Sequence, residues 1–482
     1  MCSSVTRAVP VIQQADYPLN WYHQSINSYI RPSIVKTKEV IVIRSLKKSF
    51  TIAAIATLGL AACSPATDAK SSKDDAGKTT VTFRLWDDSA APAYKKSFAD
   101  FEKKNPDIAV KVDVVPWDSY WKQLPLDISS GQAADIYWVN SSNFAQLADA
   151  GNIMDISETI GEKHDAWQES IVDLYTRGGK LWGIPQLWDS IALFYNKDLV
   201  AKAGVDPSKL TWAPNASGND TLLAAAKKLT VDAQGHNATA PQFNPAATKV
   251  FGFNAQADLQ GIWLDFLAQN GGKLQNDDDT FAFASPAGEA AFQYVVDMIN
   301  KHHVAPPASE TNTKGDLTRD MFARGELALF QSGPYSLKKI SESANINWGV
   351  APMVAGPQGR VGVVHGVAAV GNAKTKNPEA TKKVLAWLGS ADGQRPLAEE
   401  GVAFPGAKDA QQAFVDYWAK KNVDVSVFVD TAAGKTTPAP RGMKVNAGLE
   451  KAMPKLMDLF LGSVPVKQGL ADAQNAGNSA MK

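Results

Sequence analysis

Cysteine is almost missing: the 482 residues contain only Cys2 and Cys63. Two thiols exclude a disulfide scaffold, so the fold must be held by its core, which a chain of this length can build. Net charge is missing too, with 49 basic and 49 acidic residues. That balance argues against a nucleic-acid binder. No Gly-x-x-x-x-Gly-Lys-Ser/Thr loop occurs, so the chain is not its own ATPase. No Gly-x-Ser-x-Gly elbow occurs either, and Gly362, Gly366 and Gly371 lack dinucleotide-binding spacing. His23, His164, His236, His302, His303 and His365 show no metal-ligand spacing. The adjacent His302-His303 reads as a polar helix end. No cofactor or metal is expected. What the chain does have is tryptophan, 13 in all, and that abundance needs a reason.

The charge balance conceals a split. Residues 1–62 hold seven of the basic groups and two of the acidic ones, leaving a body with 42 basic and 47 acidic residues, about −5. Arg44, Lys47 and Lys48 precede the 13-residue apolar run Phe50–Ala62. A basic segment, a short apolar run and small residues before a cut make a secretory signal, here 44–62. The run is too short to cross a bilayer, which needs about 20 residues. Leu60-Ala61-Ala62-Cys63 resembles a bacterial lipobox, which makes Cys63 the expected lipidation site. Residues 1–43 fit no such signal and read as a mis-called extension, with the true start near Val40 or Val42. Residues 63–80 read as the lipidated cysteine and a flexible Ser/Ala/Asp/Lys-rich tether.

The body alternates strand and helix signals. Val81–Trp86, Ile108–Val115 and Ala134–Val139 read as strands, with helices at Tyr94–Lys104, Tyr120–Ser130 and Phe144–Ala150 between and after them. Leu181–Pro185 and Ile191–Tyr195 read as strands around a polar loop, and Val361–Val370 as one strand with Gly366 inside. Leu327–Phe330 and Asn347–Ala351 add strands. Asp198–Ala203, Leu222–Leu229, Gly261–Asn270, Ala287–His302, Pro378–Leu388 and Leu449–Leu461 add helices, and Phe322–Gly325 carries a helix signal. Such alternation predicts an α/β protein of two lobes with mostly parallel sheets. Ligands bind such sheets in a crevice at the carboxyl ends of the strands.

Indoles beside acids recur: Trp86-Asp87-Asp88, Trp117-Asp118 and Trp188-Asp189, with Trp138 close to Asn140 and Ser141. A sugar offers an apolar ring face and a rim of hydroxyls, which suits an aromatic ring flanked by polar groups. Any single Trp is more simply core packing. A glycoside hydrolase would use the same ingredients, and a binder of another solute, such as glycerol phosphate, a peptide or a metal, stays open. The mildly acidic body speaks against a phosphorylated ligand.

Gly179-Lys-Leu-Trp-Gly-Ile-Pro185 followed by Phe194-Tyr-Asn-Lys-Asp-Leu199 resembles a signature of the bacterial extracellular solute-binding protein family 1, the sugar-binding components of ABC importers. Ser130–Trp138, Phe322–Pro334, Trp348–Pro352 and Lys376–Glu379 resemble further family segments, in the expected order from about Val81 to Lys482. The resemblance implies a two-lobed, type II periplasmic-binding-protein-like fold. Its lobes would be 81–188 plus 367–404 and 189–366 plus 405–482, with crossings near Leu187–Ile191, Val364–Val367 and Phe404–Gly406. It implies sugar contacts at Trp86, Asp87, Asp88, Trp138, Asn140, Ser141, Trp188, Asp189 and Tyr335, with Trp263, His365, Gly366 and Arg441 as weaker carry-overs. Trp117 joins them from its own indole-and-acid pair. Tyr335 stands where maltose binders often have tryptophan after Gly-Pro. The expected role is a monomeric, lipid-anchored, extracytoplasmic capture protein that is not an enzyme. It closes its lobes on a sugar and serves membrane permease subunits that have a separate ATPase.

Overall fold

The computed structural model describes residues 77–161, 163–214 and 220–482. The signal, Cys63 and most of the tether lie outside the described residues. Among those described, no helix is long and apolar enough to cross a membrane.

Strands β1 (Thr79–Leu85), β2 (Ile108–Val114), β3 (Ile136–Asn140), β4 (Ile184–Asp189), β11 (His365–Gly371) and β12 (Phe404–Pro405) form a six-stranded sheet in the order β12-β4-β11-β3-β1-β2. A five-stranded sheet has the order β9-β5-β8-β7-β6, from β5 (Ala192–Asn196), β6 (Val231–Asp232), β7 (Thr248–Phe253), β8 (Leu327–Ser332) and β9 (Trp348–Pro352). A short parallel pair joins β10 (Val361–Val363) to β13 (Lys435–Thr437).

The sheets are mixed, which corrects the expectation of mostly parallel pairing. β1 runs parallel to β2 and β3, and β8 to β7. The remaining pairs in both sheets are antiparallel. The cause is the chain's passage between sheets. β4 belongs to the six-stranded sheet and β5, two residues later, to the five-stranded one. The supposed loop Gln186–Asp189 is therefore strand, buried throughout. Val361–Val370 is likewise two strands, broken at Val364, because β10 pairs with β13 while β11 enters the six-stranded sheet.

Residues of β5 alternate between two apolar clusters. Ala192 and Phe194 belong to the cluster around the six-stranded sheet, and Ile191 and Leu193, one before and one within the strand, to the other. Period two places successive side chains on opposite faces, and both faces here are covered. The helix Trp117–Ser130 ends on Gly131 at φ 71°, a left-handed cap that glycine adopts without strain.

Candidate functional site

The parallel strands β1, β2 and β3 end at one edge, so Trp86, Trp117 and Asn140-Ser141 gather there. Trp86 is half-buried, and its ring centre lies 5.3 Å from Trp117, 5.2 Å from Tyr120, 5.4 Å from Trp121 and 5.0 Å from Trp138. Most of these contacts are edge-to-face, the arrangement that ring quadrupoles favour. Trp117 is 48% exposed and offers a ring at the lip. Trp138 is only 1% exposed, and its Nε1 donates to the Tyr94 hydroxyl at 3.3 Å. That hydroxyl donates to Gln186 Oε1 at 2.9 Å. Trp138 thus supports the cluster from beneath and has no free face.

The polar residues at this edge are partly engaged. Asp87 Oδ1 accepts from the Ser89 amide at 2.8 Å and its hydroxyl at 2.6 Å. Asp88 pairs with Lys339 at 3.1 Å, linking the loop after β1 to the helix Leu337–Ser343 beyond the five-stranded sheet. Asn140 Oδ1 accepts from Asn143 Nδ2 at 2.8 Å. Ser141 is buried, and its hydroxyl has no partner.

At the passage between sheets, Trp188 is 2% exposed and stacks on Phe404 at 4.5 Å. Its Nε1 is buried without a partner. Asp189 is buried and accepts from Gln260 Nε2. Burial pushes its carboxyl up to about 7, against the opposing pull of that hydrogen bond. Gln260 sits in the π-turn Leu259–Trp263, capped by Asp258, whose Oδ1 accepts the amides of Gln260 at 2.9 Å and Gly261 at 3.0 Å. Trp263 closes that turn at 1% exposure, packed on Phe292, with Nε1 unpartnered.

His365 lies opposite Asp189 in the β11–β4 register. Its Nε2 is buried without a partner, and burial pulls its pKa down to about 4, so the ring is neutral. Gly366 has no room for a side chain: a Cβ there would lie 2.6 Å from Ile171 Cδ1 and 2.9 Å from the Leu187 carbonyl. Tyr335 is 40% exposed and packs over Gly333, where a Cβ would meet its ring at 2.2 Å. Tyr335 also feels the charges of Asp258 and Asp189.

Arg441 stands apart from these groups. It pairs with Asp279 at 3.3 Å and lines a cavity of about 680 Å³ with Phe144, Arg177, Asp277 and Val364. None of Trp86, Asp189 or Tyr335 lines that cavity. The structure therefore gathers Trp86 and Trp117 at one wall, and Asp189, Tyr335 and His365 around the passage between sheets. The rings of Trp138, Trp188 and Trp263 are buried among core side chains and offer no stacking face, against the expectation that each contacts sugar. Among the described residues, no group of three or more His, Cys, Asp or Glu is placed to hold a metal ion.

Sequence reasoning missed Asp258, Gln260 and Asp265. A signal was available, because Asp265 interrupts the apolar run Ile262–Ala268, where a carboxylate is costly.

The family model described as bacterial extracellular solute-binding protein matches residues 87–395. The crystal structure of UspC from M. tuberculosis is 42% identical, covers 83% of this chain and 100% of its own, and superposes with a TM-score of 0.69. A maltooligosaccharide ABC transporter solute-binding lipoprotein from Streptococcus pneumoniae strain R6 is 24% identical over 435 residues, 87% of this chain and 93% of its own. An ABC substrate-binding protein from Listeria monocytogenes, solved with cycloalternan, is 21% identical with a TM-score of 0.72. It covers 84% of this chain and 99% of its own and supports the fold alone.

Proposed function

The chain belongs to the bacterial extracellular solute-binding proteins, with their two-lobed type II periplasmic-binding-protein-like α/β fold, and from that premise we propose that it captures a sugar or oligosaccharide between its sheets and delivers it unchanged to an ABC-transporter permease. The observation that carries this reading is the pairing of two unlike walls. Trp86 and Trp117 present aromatic surface at the ends of β1 and β2. Tyr335 is 40% exposed, and Asp189 and His365 hold buried polar atoms at the passage between sheets. A sugar ring needs both, one for its apolar face and one for its hydroxyls. The sugar-binding relatives support the same class of solute.

The lobes are 81–188 plus 367–404 and 189–366 plus 405–482. Closure about the crossings grips the sugar, because a solute touching both walls favours the closed state by its differential affinity. The Asp88–Lys339 pair, which already links the two sides, is one contact such closure makes. Asp87, Asn140 and Ser141 line the aromatic side, with Trp138 beneath it. Trp188, Trp263 and Gly366 shape the other side, and Arg441 contacts only a longer solute reaching the adjoining cavity. The protein works as a monomer beside a permease whose ATPase is a separate chain, since this one has no phosphate-binding loop. Cys63 carries the lipid that holds it at the extracytoplasmic face, two acyl chains sufficing for stable anchoring. The lipoprotein named among the relatives supports that anchor.

A thermal-shift panel of glucose, maltose, maltotriose, trehalose, cellobiose and chitobiose tests the capture reading. At 100-fold excess over Kd a bound saccharide stabilises by about 2.7 kcal/mol, so at least one should raise the melting temperature. A panel with no shift would overturn it. Mass spectrometry of the Cys63 peptide from cell membranes should show the diacylglyceryl group, and an unmodified thiol there would remove the anchor.

A further inference from the structure

Asp265, in the first turn of the helix Leu264–Gln269, is 0% exposed, and neither carboxylate oxygen has a hydrogen-bond partner. One turn on, Gln269 is fully engaged: it accepts from Trp212 Nε1 at 2.7 Å and donates to the Val354 carbonyl at 2.9 Å. The same helix therefore satisfies one buried polar side chain and leaves another without partners. An unpaired buried carboxylate is costly. Burial first, and Asp258 second, push its pKa well above the usual carboxylate range, against the pull of the Val363 backbone amide, which falls short of hydrogen-bond geometry. Among the described residues, no lysine or arginine is hydrogen-bonded to it.

Its surroundings close a ring. Val363 ends β10, and His365 begins β11 two residues later. His365 lies opposite Asp189, Asp189 accepts from Gln260, and Gln260 belongs to the turn that Asp258 caps. Asp258 returns to Asp265 through their mutual charge. The same stretch holds unpartnered nitrogens: Trp263 Nε1, Trp188 Nε1 and His365 Nε2. A cation would satisfy the carboxylate but not the indole N–H groups, and an anion the reverse. A hydroxyl both donates and accepts, so a polyol matches the mixture.

We propose that Asp265 is a further specificity-determining residue, whose carboxylate receives a pair of neighbouring hydroxyls of the captured solute at the floor of the site. This rests on the sugar-capture reading. Capture then supplies the two donors that the empty protein lacks.

The test is calorimetry with whichever saccharide of the panel gives the largest thermal shift, on wild type, Asp265→Asn and Asp265→Leu, with monodeoxy congeners of that saccharide and melting curves of the empty proteins. The loss of two hydrogen bonds to the solute predicts an affinity loss of about 10- to 100-fold in both variants. The variants should melt no lower than wild type when empty. One monodeoxy congener should bind wild type weakly yet lose nothing further in the variants. If wild type binds and both variants match its affinity, the role of Asp265 is refuted while sugar capture stands. If both variants melt far lower or fail to fold, Asp265 is structural and the proposal falls. If wild type binds no saccharide of the panel, the capture reading fails and takes this one with it.

Discussion

The edge of the six-stranded sheet and the passage toward the five-stranded sheet solve opposite problems. At the edge, aromatic rings pack against one another: Trp138 is hydrogen-bonded to Tyr94, Tyr94 to Gln186, and the rings of Trp86, Trp117, Tyr120 and Trp121 interlock, although Trp121 Nε1 and the Ser141 hydroxyl are buried without partners. At the passage, polar groups are buried with their needs unmet, at Asp265, His365, Trp188 and Trp263. On the capture reading, the groups left without partners gain most when a solute with hydroxyls arrives. The contrast is one of kind: ring packing dominates at the edge, and buried polar groups without partners gather more densely at the passage.

The sharpest way to break the contrast is Trp138→Ala. As a buried support it should cost about 3–5 kcal/mol of stability, read by denaturant unfolding. A variant that unfolds like wild type but loses saccharide binding would make Trp138 a contact instead. Next comes Asp189→Asn, read as melting temperature against pH. A carboxyl with a raised folded-state pKa keeps its proton where the unfolded chain has lost it, so its contribution falls as pH rises from about 4 to about 7. His365, lowered to about 4, works the other way between there and its ordinary value of about 6.5. The difference between variant and wild type isolates Asp189. The variant should gain on wild type as pH rises through that window and level off above it. A pH-independent difference would mean that Asp189 is ionised in the folded protein throughout.

Trp117→Ala should leave unfolding nearly unchanged, because the ring is half in solvent, and weaken saccharide binding by about 0.5–1.5 kcal/mol. Equal affinity by calorimetry would remove Trp117 from the site. The smallest effect belongs to Asp88→Asn. An exposed ion pair is worth about 0.2–1 kcal/mol and is screened by salt. The loss in saccharide affinity should be visible in dilute buffer and vanish at high salt. A salt-independent loss would place Asp88 on the sugar itself.

The sequence disclosed the fold well where patterns are regular. The strands Thr79–Leu85 and Ile108–Val114 and the helix Pro378–Leu388 lie within a few residues of their signals. It hid the passages between sheets, because a strand buried on both faces, such as Ile184–Asp189, has no alternation, and its Trp188-Asp189 imitates a polar loop. It hid the helix Val466–Ala480 as well, which packs through small residues. A Cβ on Gly477 would lie 2.6 Å from the Phe281 ring and 3.1 Å from the Gly448 carbonyl, so close approach replaces a stripe of large side chains. At the candidate site, which rings of the indole-and-acid pairs face outward depends on packing depth, which no local pattern encodes. Trp117 and Trp138 both pack on Trp86, yet Trp117 is 48% exposed and Trp138 1%.

The central claim is capture without chemistry between two unlike walls. The most direct measurement is titration calorimetry of the protein with its best saccharide, followed by chromatography of the sugar recovered from the cell. One site per chain and a saccharide recovered intact are the expected results. Shortened products, or no heat with any saccharide of the panel, would contradict it.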